Sequence, residues 1–114
     1  MSNRIVDNIT NRTEFKHYVK NNYHVIVKIS ATWCGPCKRA TPIFNEGFLN
    51  LSDKVKLILI DADEGSDVCN SLKVKSVPIY LYYKRAECLE ICNSAEKKEI
   101  EYFFNQVKGH MTSK

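Results

Sequence analysis

Two runs of β-branched and aliphatic residues dominate this chain, Val25 to Ser30 and "VKLILID" from Val55 to Asp61. Both are apolar enough to read as strands buried on each face, and each leads into a helical pattern. After the first, Ala40, Ile43, Phe44, Gly47, Phe48 and Leu51 trace one face of a helix that begins near Cys34 and runs to about Leu51, with Pro42 expected to kink it. After the second, Ser66 to Leu72 carries Val68 and Leu72 on one face. Upstream, Asn11 with Glu14 marks a helix start, and Phe15, Tyr18 and Val19 follow at helical spacing. Downstream, "PIYLYY" from Pro78 is a third strand and residues 88–92 a weaker one. Asn93 or Ser94 then caps a last helix with the stripe Ile100, Phe103, Phe104 and Val107. Strands alternating with helices specify an α/β sheet covered on both faces. No linker or repeat divides the 114 residues, so one domain spanning 1–114 is expected.

Charge and composition narrow the function. The 17 Lys and Arg exceed the 13 Asp and Glu by four, but they are scattered, which gives no footprint for nucleic acid. No run approaches the roughly 18–20 apolar residues of a membrane span, and "MSNRIVDNITNRTEF" lacks the apolar core of a secretion signal. A cytoplasmic monomer without membrane association is therefore expected. Five cysteines, an odd number in a reducing compartment, argue against a disulfide scaffold.

The chemistry concentrates at Cys34-Gly35-Pro36-Cys37. Cys34, Cys37, Cys88 and Cys92 can be written as two pairs of zinc ligands. A regular strand over 88–92, however, separates its two sulfurs by roughly 13 Å, too far for one metal ion or for a disulfide between them. No metal is expected, and Cys69, Cys88 and Cys92 read as small buried or half-buried apolar residues. Redox chemistry fits the Cys34 pair better. At a helix start, Cys34 sits beside unpaired backbone amides that favour thiolate, which makes it the nucleophile. Cys37 lies one turn deeper on the same face and is the resolving cysteine. Pro36 suits the first turn, where its missing N–H has no helical acceptor, and Gly35 removes bulk where a substrate sulfur must approach.

"ATWCGPCK", residues 31–38, resembles the active-site motif of the thioredoxin family, and the resemblance extends over nearly the whole chain. Pro42 falls where that family kinks its active-site helix, and Val77-Pro78 where it has a cis-proline loop. The resemblance implies a thioredoxin fold, a mixed sheet of four to five strands flanked by helices on both faces. It also implies a thiol-disulfide oxidoreductase that reduces protein disulfides, with Trp33, Val77 and Pro78 joining Gly35 and Pro36 as the substrate-contact surface around Cys34. By the same resemblance, the Gly-Pro dipeptide implies a reductant in preference to an oxidase or isomerase. No cofactor is held, so an external donor must reset the pair: a flavin-containing thioredoxin reductase using NADPH, or a glutathione system.

Three departures from the family pattern stand out. Lys28 replaces a buried aspartate, Leu59 replaces that aspartate's lysine partner, and glycines are missing at Lys84-Arg85-Ala86 and at Cys92-Asn93. Strand alternation puts Lys28 on the face of Ile26 and His24, and the resemblance places that face behind Cys37, which implies a distance within ~8 Å of its sulfur, close enough for a direct or single-water contact. A proton-transfer or pKa-tuning role follows, with Asp61 as the expected carboxylate partner. The competing reading of Lys28 is a lysine that extends its ammonium to water. The competing reading of the whole chain is a non-catalytic thioredoxin-like module that docks on one partner.

Overall fold

The computed structural model describes residues 4–112. Five strands and four helices follow one another as β1 (Ile5–Asp7), α1 (Arg12–Lys20), β2 (His24–Ser30), α2 (Gly35–Leu49), β3 (Val55–Asp61), α3 (Ser66–Leu72), β4 (Ile79–Lys84), β5 (Glu87–Cys92) and α4 (Lys97–Thr112). The sheet order is β1-β3-β2-β4-β5. β1, β3 and β2 run parallel, while β4 pairs antiparallel with β2 and with β5.

The two apolar runs lie side by side as β2 and β3, with Val25 opposite Lys56 and Ser30 opposite Asp61. Alternation along them feeds two cores. Ile26, Leu57, Tyr80 and Tyr82 face α2 and α4, where they meet Phe44, Phe48, Ile100, Phe103 and Phe104. Val25, Val27, Ile29, Ile58 and Ile60 face α1 and α3, with Phe15, Val19 and Val68. Val25, Ile26, Val27, Leu57 and Ile58 are buried whichever face they take, so the apolar run there does not alternate, while His24, Lys28 and Ser30 leave the α2/α4 side of β2 partly polar and half-buried.

The expected elements are present, with local differences. β1 had no expectation: its three residues bury only Val6 in part, too little pattern to read. Asn11 caps α1 by accepting the Glu14 amide at 2.8 Å. α2 starts at Gly35 with Cys34 as its N-cap, and it stays helical through Pro42 to Leu49. α4 begins at Lys97, with Ser94 Oγ accepting the Glu96 amide at 3.0 Å; the Asn93 side chain points elsewhere. No described helix is long and apolar enough to cross a membrane.

The missing hairpin glycine leaves a cost. The β4–β5 turn places Arg85 at φ 54° and Ala86 at φ 69°, the left-handed region that favours glycine. An L-residue there costs roughly 1–2 kcal/mol, against about 0.5–1 kcal/mol of extra chain entropy lost by glycine. Ala86→Gly should therefore stabilise the fold by about 0.5–1 kcal/mol, read as a higher denaturation midpoint with an unchanged m-value.

Candidate active site

β2 ends at Ser30, and Ala31 to Trp33 carry the chain to Cys34. Cys34 and Cys37 form a disulfide, with Cα atoms 5.3 Å apart. As the N-cap of α2, Cys34 accepts the Cys37 amide at its Sγ, 3.2 Å away, so the sulfur holds one of the amides a helix start leaves unpaired. No acidic side chain lies in the first turn of α2 to oppose negative charge on that sulfur.

Both cysteines are covered in the oxidised pair, 4% and 3% exposed, so the deeper placement expected of Cys37 does not appear as a difference in exposure. Ala31, Ala62 and Val77 pack around the two sulfurs. The surface lies next to them instead. Trp33 is 68% exposed, and its indole N–H donates to Asp63 Oδ2 at 3.0 Å, which fixes the ring beside the pair. Gly35 and Pro36 are exposed. A Cβ at Gly35 would meet only Arg39 at 3.7 Å, ordinary contact, so nothing inside the chain requires glycine there. The Val77-Pro78 bond is cis, and the Val77 carbonyl oxygen lies 3.8 Å from Cys34 Sγ. Trp33, Val77, Ala62, Val74 and Cys69 line a hollow of about 240 Å³ adjoining the pair.

Lys28 stands on the α2 side of β2, opposite Leu59 and Tyr80, and it is half-buried. Its Nζ donates to Thr41 Oγ1 at 3.1 Å, and Thr41 Oγ1 donates to the Cys37 carbonyl at 2.9 Å. The ammonium also lies 5.3 Å from the Phe44 ring centroid, an arrangement that offsets part of its desolvation. Burial pushes the Lys28 pKa down. The Asp61 partnership is not formed. Asp61 pairs in register with Ser30 rather than Lys28, and its Oδ2 accepts the amides of Asp63 and Glu64 at 3.0 and 2.9 Å, closing the turn after β3. Lys28, Cys37, Thr41 and Asp61 nonetheless line one cavity of about 420 Å³.

The remaining cysteines go to different places. Cys92 is buried in the α2/α4 core and Cys69 in the α1/α3 core. Cys88 is exposed, contrary to the buried or half-buried position expected; it lies at the hairpin end of the edge strand β5, beyond the register shift between Tyr82 and Tyr83, whereas Cys92 at the other end is buried. Sequence reasoning passed over Thr41 and Asp63. Thr41 had one legible signal, its place one turn after Cys37.

A strand that delivers two cysteines, three residues apart, to the N-terminus of a helix beside a cis-proline loop defines a thiol-disulfide exchange protein. The family model described as Thioredoxin matches residues 6–106. A thioredoxin of Ophiophagus hannah is 36% identical over 91 residues, covering 78% of this chain and 86% of that protein. A thioredoxin of Gallus gallus is 34% identical over 102 residues, covering 85% and 93%. Among solved structures, Plasmodium falciparum thioredoxin superposes with a TM-score of 0.78 at 30% identity, covering 89% of this chain and 98% of that one. The chain belongs to the thioredoxin family. Its fold is the thioredoxin fold, and with its cysteine pair it is a thiol-disulfide oxidoreductase with protein-disulfide reductase activity. Thioredoxins act on protein disulfides and are in general reduced by thioredoxin reductase.

Proposed function

We propose that the chain is a monomeric cytoplasmic carrier of two electrons to protein disulfides, acting as one domain over residues 1–114. Cys34 thiolate attacks one sulfur of a substrate disulfide, forming a mixed disulfide and releasing the other sulfur as thiolate. Cys37 thiolate then attacks Cys34 Sγ, so the substrate leaves with its second thiol and the Cys34–Cys37 bond closes. The pair has lost two electrons and the substrate has gained them. A thioredoxin reductase, or a glutathione system, returns both. Trp33, Gly35, Pro36, Val77 and Pro78 form the surface that receives the substrate.

The amide hydrogen bond on Cys34 Sγ carries this reading, since a sulfur held by a helix-start N–H is stabilised as thiolate and as leaving group alike. Three thiols left unlinked, Cys69, Cys88 and Cys92, are compatible with a reducing compartment. Lys28 tunes Cys37: its ammonium, on the wall of the same cavity, favours the thiolate of the resolving cysteine.

The test is insulin-disulfide reduction with dithiothreitol as donor. The chain should accelerate precipitation of the insulin B chain at micromolar concentration. A rate equal to dithiothreitol alone would leave the docking module as the correct description.

A further inference from the structure

Asn93, the residue that follows β5, sends its side chain across to the loop before β4. Its Nδ2 donates to the Pro78 carbonyl at 2.8 Å and reaches the Ser76 carbonyl at 3.4 Å, while Ser76 Oγ donates to Asn93 Oδ1 at 2.9 Å. One amide thus engages both residues flanking Val77 and spans 15 to 17 residues of sequence. The Val77 backbone itself is left open. Its N–H has no hydrogen-bond partner among the described residues, and its carbonyl faces only Cys34 Sγ.

We propose that Asn93 is a positioning residue for substrate capture, an amide latch that holds Val77 in the orientation needed to pair with an extended segment of a disulfide-bearing protein. The inference rests on the reductase reading above. Two backbone groups of one residue can bind an extended chain as a short added strand, and main-chain pairing of this kind supplies affinity only where the edge is already ordered. Exposed loops are by default mobile. Here, the latch occupies the Ser76 and Pro78 carbonyls, which would otherwise compete for the incoming N–H groups. A substrate is then offered one register, the one that brings its sulfur beside Cys34. Asn93 touches neither sulfur, so its effect must appear in capture of extended substrates and not in the reactivity of Cys34.

The test compares Asn93→Ala, Asn93→Asp and Ser76→Ala with the wild type. Asn93→Asp keeps the shape and the acceptor for Ser76 but removes both donors. On a peptide disulfide, Asn93→Ala and Asn93→Asp should raise KM about five- to tenfold with kcat nearly unchanged, the loss expected for one to two net hydrogen bonds. Ser76→Ala should raise it less, and Ser76→Ala with Asn93→Ala should cost no more than Asn93→Ala alone. Reduction of the small disulfide 5,5'-dithiobis(2-nitrobenzoate) should stay within about twofold of the wild type in every variant. The backbone order parameters of the Ser76 and Val77 amides should fall in Asn93→Ala. An unchanged or lowered peptide KM in Asn93→Ala would overturn the latch. If the wild type reduces no peptide disulfide, the reductase reading fails, and unchanged order parameters at Ser76 and Val77 would then reject the latch separately.

Discussion

Cys37→Ser is expected to stop turnover while leaving the first attack intact, so that the protein accumulates as a covalent mixed disulfide with its substrate on Cys34. The reason is the division of labour set by the helix start. Cys34 Sγ has its own amide donor and lies beside the Val77 carbonyl at the receiving surface, whereas Cys37 is one turn further into α2 with its carbonyl tied to Thr41. Without Cys37, release waits on an external thiol. An intramolecular attack by a held neighbour has an effective concentration of molar order or far above, so against millimolar external thiol turnover should fall by more than about 10³-fold. Non-reducing electrophoresis with a disulfide substrate should show a slower band that dithiothreitol removes. Cys34→Ser should be equally inactive but form no such band, and trapping by Cys34→Ser instead of Cys37→Ser would reverse the two roles.

Lys28→Met should slow release of the mixed disulfide near neutral pH and have little effect on the attack by Cys34. Methionine keeps the length of the stem and its packing on Phe44 while removing the charge. Losing a neighbouring ammonium raises a thiol pKa, and a rise of about one unit cuts the thiolate fraction at pH 7 about tenfold. The more basic thiolate is intrinsically a better nucleophile, which returns roughly threefold, so the net slowing is about threefold. As pH rises through the Cys37 pKa the fraction of thiolate saturates in both proteins. Lys28, its own pKa pushed down by burial, also gives up its charge at a lower pH than an exposed lysine. The two rate-versus-pH curves should therefore separate near pH 7, with the variant slower, and close or cross at alkaline pH, where both thiolates are formed and the variant's more basic one is the better nucleophile. Superimposable curves from stopped-flow measurement of the resolving step would leave Lys28 as a packed residue held by Thr41 and nothing more.

The elements with long periodic patterns were legible in the sequence because burial itself writes the pattern. β2 and β3 are buried on both faces along most of their length and so are apolar apart from His24, Lys28, Ser30, Lys56 and Asp61, and α4 shows its stripe because Ile100, Phe103, Phe104 and Val107 all turn to one core. β1 left no trace, since three edge residues bury too little to impose any alternation. The cysteine pair was legible for a chemical reason. Spacing of three at a helix start fixes both sulfurs within bonding reach whatever the rest of the chain does.

Relations between distant residues were not legible in the same way. Strand alternation placed Lys28 on the correct face, but its partner depended on which residues compete for each carboxylate. Asp61 lies within reach of two unpaired turn amides, and a carboxylate closing its own turn is not available to a lysine two positions back in register. Asn93 and Ser94 were both candidate caps, because short polar side chains before a helix usually satisfy its first amides. In the folded chain Ser94 serves the start of α4, and Asn93 turns to the carbonyls of Ser76 and Pro78. Sequence by itself determined the alternation of strands and helices and the identity of the reactive pair, because both follow from local spacing and burial. The partners of Lys28 and Asn93 were decided only by the tertiary structure, since a polar side chain pairs with the donor or acceptor the fold brings nearest, and those neighbours lie 13 to 17 residues away along the chain.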